Sequence, residues 1–358
     1  MPSNKTVLRK HPFKLAPWLC VLWIAVVSAQ PAVNNGAGLS EFNSTYTASR
    51  TTTWPQVLQQ AAGLPRLYSL LVSRDGELIQ EHYFNGKRAD DIANIKSASK
   101  SIMSALVGIA IDKGFVQGTS QSINDFFREE ISNNNLNITV GNLLSMQAGL
   151  ETTSNRNYGR WVLSDNWIEF ALKQPPYDRP GGRMIYSTGN THLLSAIVTR
   201  ASQLNTLSFA RRFLFGPMNT HLSSWPRDPQ GLYFGGNDME LTPRQMLAFG
   251  ELYINGGKYN NQQIIPADWV QRSTTARVAS PRGQGRHYGY GWWIRDTAGY
   301  ETPYAWGYGG QFILLVPEEK IVVVVTSNSN PGDDRRFHTR AAYRLVESAV
   351  QAALPTKK

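Results

Sequence analysis

The pattern of apolar and polar positions changes along the chain from strands to helices and back to strands. LYSLLVSRDGELIQEHYF (67–84) gives two strand-like runs around Asp75-Gly76, a dipeptide typical of a two-residue hairpin turn. From Ser97 to Lys113 the chain is apolar on almost every face, which predicts a helix in the core. The middle of the chain then has mostly helical spacing, with glycines at several expected C-terminal ends.

Strand-like runs return near the C-terminus. HYGYGWWIRD, YAWGYGG, QFILLVP and KIVVVVTSN are predicted strands, and a helix from about Arg335 to Ala353 closes the chain. Strands from both ends around a helical middle predict an α+β fold, with one antiparallel sheet, flanking helices and an inserted, mainly helical lobe. The predicted boundaries are 54–358 for a single domain, about 54–96 and 285–358 for its α/β lobe, and about 97–284 for its helical lobe.

The first residues have the pattern of an export signal. Four Lys or Arg side chains within fourteen residues precede about twelve apolar residues and the small residues of VSA. We expect 1–29 to be a signal peptide cleaved after Ala29, and 30–53 to be a polar N-terminal arm. An uncleaved membrane anchor is the alternative. The predicted location is periplasmic or secreted, in a bacterium.

The composition limits the kinds of catalytic and binding sites that the chain can contain. The sole cysteine, Cys20, lies in the predicted signal, so the mature protein would have no thiol for a disulfide, a nucleophile or a metal. The histidines are isolated, and H-E-x-x-H, Walker and G-x-S-x-G motifs are absent. The net charge of +10 is spread out, which argues against a nucleic-acid partner. We therefore expect no metal, no cofactor and no membrane contact beyond export.

Ser97-x-x-Lys100 carries the strongest candidate chemistry. Residues three apart share one helix face, and a core rarely accepts a lysine without a partner or a purpose. Desolvation lowers the pKa of a buried lysine, so Lys100 could take the proton of the Ser97 hydroxyl. The alternative is a helix-capping serine and a snorkelling lysine, because a chain of this length contains about one S-x-x-K by chance.

Two later stretches favour the catalytic interpretation of Ser97 and Lys100 over the structural one. PGGRMIYSTGNTHLLSAI places Tyr186 just before a helix, and in YAWGYGGQFILLVPEEKIVVVV a strand begins with Tyr308-Gly309-Gly310. Together with Ser97-x-x-Lys100, their order resembles the serine β-lactamase and penicillin-binding-protein superfamily, in its class C-like branch. ITVGNLLSMQAGLE and GGNDMELTPRQMLAFGELYINGG agree with that resemblance. Within the branch, the chain is similar to β-lactamase-related esterases and 6-aminohexanoate-dimer hydrolases.

The resemblance implies a role for each matching residue. Ser97 would be the acylated nucleophile and Lys100 its proton acceptor. Tyr186 would relay protons, with its pKa lowered by the neighbouring ammonium. The backbone N–H groups of Ser97 and Gln311 would form the oxyanion hole.

Departures from the family pattern concern the substrate. Thr188 stands where β-lactamases of this branch carry the Asn of Tyr-x-Asn. Tyr308 stands where relatives carry Lys or His, and a neutral phenol cannot balance a β-lactam carboxylate as an ammonium can. The candidate substrate-binding residues are Tyr308, Gly309, Gly310, Tyr158, Trp161 and Asn237.

The sequence thus predicts an exported serine hydrolase that cleaves a small ester, amide or peptide-like substrate through an acyl-enzyme on Ser97. One alternative is a β-lactamase or D-alanyl-D-alanine peptidase, which would use the same residues on another substrate. A second alternative is a non-catalytic penicillin-binding sensor, which would acylate without turnover. The physiological substrate, the acyl acceptor and the oligomeric state stay open.

Overall fold

The computed structural model describes residues 52–131, 136–330 and 332–355. The predicted signal peptide and residues 30–51 of the predicted arm lie outside these ranges. Within them, the helices are too short or too polar to cross a membrane.

Strands and helices are numbered in chain order. The strands are β1 (Leu67–Arg74), β2 (Glu77–Tyr83), β3 (Ala93–Asn94), β4 (Glu240–Leu241), β5 (Lys258–Tyr259), β6 (Gln262–Gln263), β7 (Val278–Ala279), β8 (His287–Tyr288), β9 (Trp293–Thr297), β10 (Tyr300–Gly307), β11 (Gln311–Val316) and β12 (Ile321–Ser327). The helices are α1 (Trp54–Ala62), α2 (Ser99–Asp112), α3 (Arg128–Ile131), α4 (Val140–Leu144), α5 (Tyr158–Val162), α6 (Trp167–Leu172), α7 (Thr188–Ser202), α8 (Thr206–Ala210), α9 (Pro243–Ile254), α10 (Ala267–Thr274) and α11 (Arg335–Ala353).

The main sheet joins the two ends of the chain. Its strand order is β2-β1-β12-β11-β10-β9-β8-β7, and all neighbouring strands are antiparallel. Asp75 and Gly76 connect β1 to β2 with φ angles of 52° and 81°, the left-handed conformation that a tight hairpin turn requires. The predicted α+β fold, with one antiparallel sheet built from both termini, is confirmed.

The sequence of β12 explains how the sheet is covered. All seven residues of IVVVVTS are buried. Val322 and Val324 belong to the core that contains α2, whereas Val323 and Val325 belong to the core that contains α1 and α11. Because successive strand side chains point to opposite faces, an unbroken apolar run is stable only where both faces of the sheet are covered.

Helix α9 lies in the stretch whose pattern predicts the helical lobe, but it packs on the sheet against β1, β11 and β12. Gly250 permits this close approach, since a Cβ atom there would lie 2.5 Å from Cγ1 of Val322. The final helix occupies its predicted range. By contrast, α2 begins at Ser99 rather than Ser97, because the 3₁₀ turn Lys96–Ala98 precedes it.

Candidate active site

Ser97 lies in a strained turn between β3 and α2. The preceding residue, Lys96, has a φ of 50°, which is unusual for a side chain other than glycine. Its backbone N–H donates to Asn94 Oδ1 over 3.0 Å, and its Nζ lies 2.8 Å from Oδ1 of Asp238. These contacts hold a conformation that would otherwise relax, and strain of this kind is common at functional sites. The Ser97 side chain is half-buried and therefore still accessible.

Lys100 is buried beside Ser97, with 1% of its surface exposed. Its Nζ donates to Ser97 Oγ over 3.2 Å, to Thr188 Oγ1 over 3.3 Å and to the backbone oxygen of Gly236. Burial lowers the pKa of Lys100 to about 7, while the charge of Asp238 opposes the shift. Because its Nζ lies among these buried partners and does not reach solvent, Lys100 is not the snorkelling lysine of the alternative.

Tyr186 lies against both groups. Lys100 Nζ is 5.1 Å from the centre of its ring, and the ring stacks on Trp293 at 5.5 Å. The hydroxyl is shielded from solvent and lies near Ser97, but it makes no hydrogen bond of ordinary geometry within the described residues. Burial raises the pKa of Tyr186 to about 12, and the Ser97 hydroxyl and Arg282 only partly oppose this. The expected lowering of this pKa by the ammonium is therefore wrong.

Thr188 occupies the position expected for the family asparagine. Its hydroxyl lies 2.9 Å from Ser154 Oγ, and its backbone N–H donates to the same oxygen over 2.9 Å. Thr188 thereby presents a fixed oxygen to Lys100. Asn190 points elsewhere, with its amide 4.0 Å from the sulfur of Met146, so it does not take over the missing asparagine's place.

The third motif forms the turn between β10 and β11. Gly307, at the end of β10, packs so closely on the Ser97 turn that a Cβ atom would lie 2.1 Å from the oxygen of Ile95. Gln311 follows the turn and is fully buried, its side chain bonded to the backbone of Ser327. The structure therefore brings the start of β11, at Gln311, to the Ser97 turn. The role of the backbone N–H groups of Ser97 and Gln311 as an oxyanion hole stays a prediction.

Gly309 and Gly310 are buried and have positive φ angles of 89° and 100°. A Cβ atom would lie 2.7 Å from Cα of Ser329 at Gly309, and 3.1 Å from Nε2 of His338 at Gly310. Their lack of side chains is thus required by the turn and by packing behind it. The prediction that these two glycines bind substrate has no support in these contacts.

Tyr308 is half-buried and pairs with a cation that the sequence pattern does not indicate. Its hydroxyl accepts a hydrogen bond from Arg335, whose guanidinium carbon lies 4.8 Å from the centre of the ring. Arg335 is the first residue of α11. A positive charge therefore accompanies the neutral phenol at the position where relatives carry Lys or His.

The softer pocket candidates separate into two groups. Asn237 Nδ2 donates to the hydroxyl of Tyr158 over 3.1 Å, beside Asp238, so these two candidates lie near the Ser97 turn. Trp161 is fully buried, and its Nε1 donates to the backbone oxygen of Trp167 over 3.0 Å. Placing Trp161 in the substrate cleft is wrong, because its ring belongs to the aromatic core around His192.

His192 has a structural position behind the site. Its Nε2 lies 2.8 Å from Asp228 Oδ2, and both side chains are fully buried. The ring also accepts a long contact of 3.5 Å from the backbone N–H of Gly235, next to the Gly236 oxygen that receives Lys100. No cluster able to hold a metal ion occurs in the described ranges.

A cleft of about 440 Å³ opens beside Tyr186. Its charged lining comprises Glu151 and the guanidinium groups of Arg156, Arg183 and Arg282. The guanidinium carbon of Arg282 lies 4.8 Å from the centre of the Tyr186 ring. The sequence motifs predict no role for Arg282 or Asp238. Asp238 nevertheless lies within the GGNDM segment that agrees with the family.

Comparison with known families identifies the family to which the chain belongs. The family model described as Beta-lactamase matches residues 58–347, most of the chain. The chain belongs to the beta-lactamase family. Its fold and family make it a hydrolase, and the prediction of the superfamily from three ordered motifs is confirmed.

Relatives within the beta-lactamase family have several activities. A 6-aminohexanoate-dimer hydrolase of Paenarthrobacter ureafaciens is 25% identical over 300 residues, covering 75% of this chain and 74% of the relative. A Bacillus anthracis structure provisionally named a 6-aminohexanoate-dimer hydrolase has a TM-score of 0.68 at 19% identity, over 85% of this chain and 83% of that one. EstCE1, a hydrolase with promiscuous acyltransferase activity, has a TM-score of 0.67 at 17% identity, over 83% and 97%.

Proposed function

We propose that this protein cleaves a small ester or amide through an acyl-enzyme on Ser97, with water as the acceptor. The observation that carries the proposal is the contact between Lys100 Nζ and Ser97 Oγ at 3.2 Å, made by a lysine whose pKa is about 7. At neutral pH about half of such side chains are free amines able to accept a proton. The names of the relatives, an amide hydrolase and an esterase-like hydrolase, support the substrate class.

In the proposed acylation, the bond from the carbonyl carbon to the leaving group is replaced by a bond to Ser97 Oγ, and one proton is transferred in net terms from Ser97 to the leaving group. Ser97 Oγ attacks the carbonyl carbon while its proton passes to Lys100 Nζ. Tyr186, still protonated because its pKa is about 12, gives its proton to the leaving oxygen or nitrogen and is reprotonated from Lys100. The alcohol or amine then departs, leaving the acyl group on Ser97.

Deacylation reverses these roles with water as the nucleophile. Water attacks the acyl carbonyl and gives a proton to Tyr186 as Tyr186 passes its own proton to the neutral amine of Lys100. Lys100 then returns a proton to Ser97 Oγ as that oxygen leaves. The products are a carboxylic acid and the free enzyme. Backbone N–H groups of Ser97 and Gln311 would stabilise the oxyanion in both steps, and such donors contribute about 10²–10³ in rate. Export of the mature chain from residue 30 is part of the same proposal.

The test measures release of 4-nitrophenol from 4-nitrophenyl acetate and butyrate, with nitrocefin in parallel. Ser97→Ala is expected to lose ester turnover, whereas Ser104→Ala keeps it, because Ser104 lies in the following helix α2 and its buried hydroxyl has no hydrogen-bond partner among the described residues. Mass spectrometry should find the acyl group on the Ser97 peptide. Equal turnover by wild type and Ser97→Ala would refute the proposal. Rapid nitrocefin turnover would replace the substrate class with β-lactams, and a burst without turnover would indicate a sensor.

A further inference from the structure

The cleft beside Tyr186 carries an unbalanced positive charge. Three arginines and one glutamate line it, and two of those arginines are already paired. Arg156 contacts Glu151, and Arg183 Nε lies 3.2 Å from Oδ2 of Asp178. Arg282 differs from both, because among the described residues its guanidinium has neither a carboxylate partner nor a side-chain hydrogen bond.

Arg282 is held in place without being neutralised. Its guanidinium carbon lies 4.8 Å from the ring centre of Tyr186 and 5.8 Å from that of Trp293, and these two rings are themselves stacked. Stacking on aromatic faces orients a guanidinium while leaving its five N–H donors free in the plane. Such a group is available for bidentate binding of a carboxylate.

The position of Arg282 relative to the reacting groups indicates which part of a substrate it would meet. Lys100 Nζ and the Arg282 guanidinium lie 5.1 and 4.8 Å from the same Tyr186 ring centre. In the proposed mechanism Tyr186 protonates the leaving group, so the leaving group departs into the cleft that Tyr186 lines. A carboxylate on that group, separated from the scissile bond by a short spacer, would reach Arg282.

We infer that Arg282 determines substrate specificity by binding a carboxylate on the leaving group, so that the preferred substrates are esters or amides of hydroxy or amino acids. The inference rests on the proposed function. It moves anion recognition away from the third motif, where Tyr308 replaces the lysine of relatives, to the loop before β8. The apolar lining, including Met184, Ile185 and Pro281, suits the spacer between the scissile bond and the carboxylate.

The experiment compares two substrates that differ in one group, 3-carboxyphenyl butyrate and its neutral isostere 3-carbamoylphenyl butyrate. The quantity measured is the ratio of their kcat/KM values, from the absorbance of the released phenol. In Arg282→Gln this ratio should fall about ten-fold, the usual effect of losing a charge-assisted hydrogen bond. Arg282→Lys should retain part of the ratio. Added salt should lower the wild-type ratio, because the site is open to solvent.

Two further variants test whether the ratio depends on Arg282 itself or on the loss of a positive charge elsewhere. Arg286→Gln removes the same charge from the same loop, but Arg286 stacks on Tyr343, so its ratio should equal that of wild type. Arg335→Gln removes the cation beside Tyr308. A ratio that falls in Arg335→Gln and not in Arg282→Gln would overturn the inference by placing recognition at the third motif.

The remaining outcomes separate this inference from the proposed function. Ser97-dependent turnover with a ratio that Arg282→Gln leaves unchanged overturns the specificity assignment alone. Turnover that does not depend on Ser97 overturns the proposed function, and the inference falls with it. Circular dichroism spectra and melting temperatures verify that each variant is folded, which the exposed position of Arg282 favours.

Discussion

Lys96 and Asp238 form an ion pair, with 2.8 Å between Nζ and Oδ1, immediately before the candidate nucleophile. The pair holds Lys96 at positive φ, and the same carboxylate raises the pKa of Lys100 against the stronger lowering by burial. One acidic side chain therefore pairs with the residue before Ser97 and also affects the pKa of Lys100. Each function gives a separate measurable effect.

Asp238→Asn should lower kcat/KM about 10–100-fold, because the strained turn loses its ionic anchor. It should also move the acid limb of the pH–rate profile to lower pH, since removing a negative charge lowers the pKa of Lys100. The profile is measured with 4-nitrophenyl butyrate. Asp334→Asn is the control, because it breaks a different ion pair, with Arg66. It should leave the acid limb at its wild-type pH. A limb that moves to higher pH in Asp238→Asn would contradict this account.

Wild-type kcat/KM should rise with pH through about 7, because Lys100 must lose its proton to act as a base.

Lys100→Met should abolish turnover without lowering the melting temperature at pH 7. The sign follows from linkage: the folded pKa lies below the unfolded value of 10.5, so burying this lysine costs stability below pH 10.5, most fully at and below about pH 7. The melting-temperature advantage of Lys100→Met should therefore shrink between pH 7 and 10. An advantage that grows over that range would show that Lys100 is buried with its charge.

Tyr186→Phe should reduce kcat about 10²–10⁴-fold, since it removes the proposed proton donor. It should not destabilise the fold, because within the described residues the buried hydroxyl makes no hydrogen bond of ordinary geometry. Tyr253→Phe is a matched control, because in the described ranges that hydroxyl is also buried without a hydrogen bond of ordinary geometry, but it lies in the core beside Trp292. Both variants should keep the wild-type melting temperature, and only Tyr186→Phe should be inactive. A large drop in melting temperature for Tyr186→Phe would mean that its hydroxyl is bonded.

His338 should make the protein less stable in acid. Both ring nitrogens are buried without partners in the described part of the chain, and burial lowers the pKa of this imidazole below 6.5. The unfolded chain then binds a proton more readily than the folded protein, so stability falls as pH drops below about 6.5. His338→Gln should flatten this slope in urea unfolding between pH 7 and 5. An unchanged slope would assign the acid sensitivity to other groups.

Local patterns predicted much of the fold and part of the site. Asp75-Gly76 specifies its turn by backbone preference alone, and the range of α11 follows from its apolar spacing. Ser97 and Lys100 are three residues apart, so a single turn of chain brings them together. Features of this kind depend on neighbours in sequence, and the residue types reveal them.

Other features depend on contacts between distant segments. Lys96 and Asp238 are separated by 142 positions, and no periodicity connects them. Trp161 lies close to Tyr158 in the sequence, so the sequence predicts that both line the cleft. In the fold, however, the Trp161 ring packs in the aromatic core around His192. The pKa of Tyr186 rises because burial outweighs the neighbouring charges, and only three-dimensional packing determines that balance. Arg282 lies in a loop without a motif.

The order of synthesis has a consequence for a sheet that joins both chain ends. Ser97 and Lys100 leave the ribosome early, whereas Gly307, which packs on the Ser97 turn, and Gln311 are made about two hundred residues later. Strand β1 also waits for β12 before its second edge is paired. A nascent or truncated chain ending before Gln311 thus contains Ser97 and Lys100 without the proposed oxyanion partner. In the proposed mechanism the site is therefore complete only in the nearly finished polypeptide.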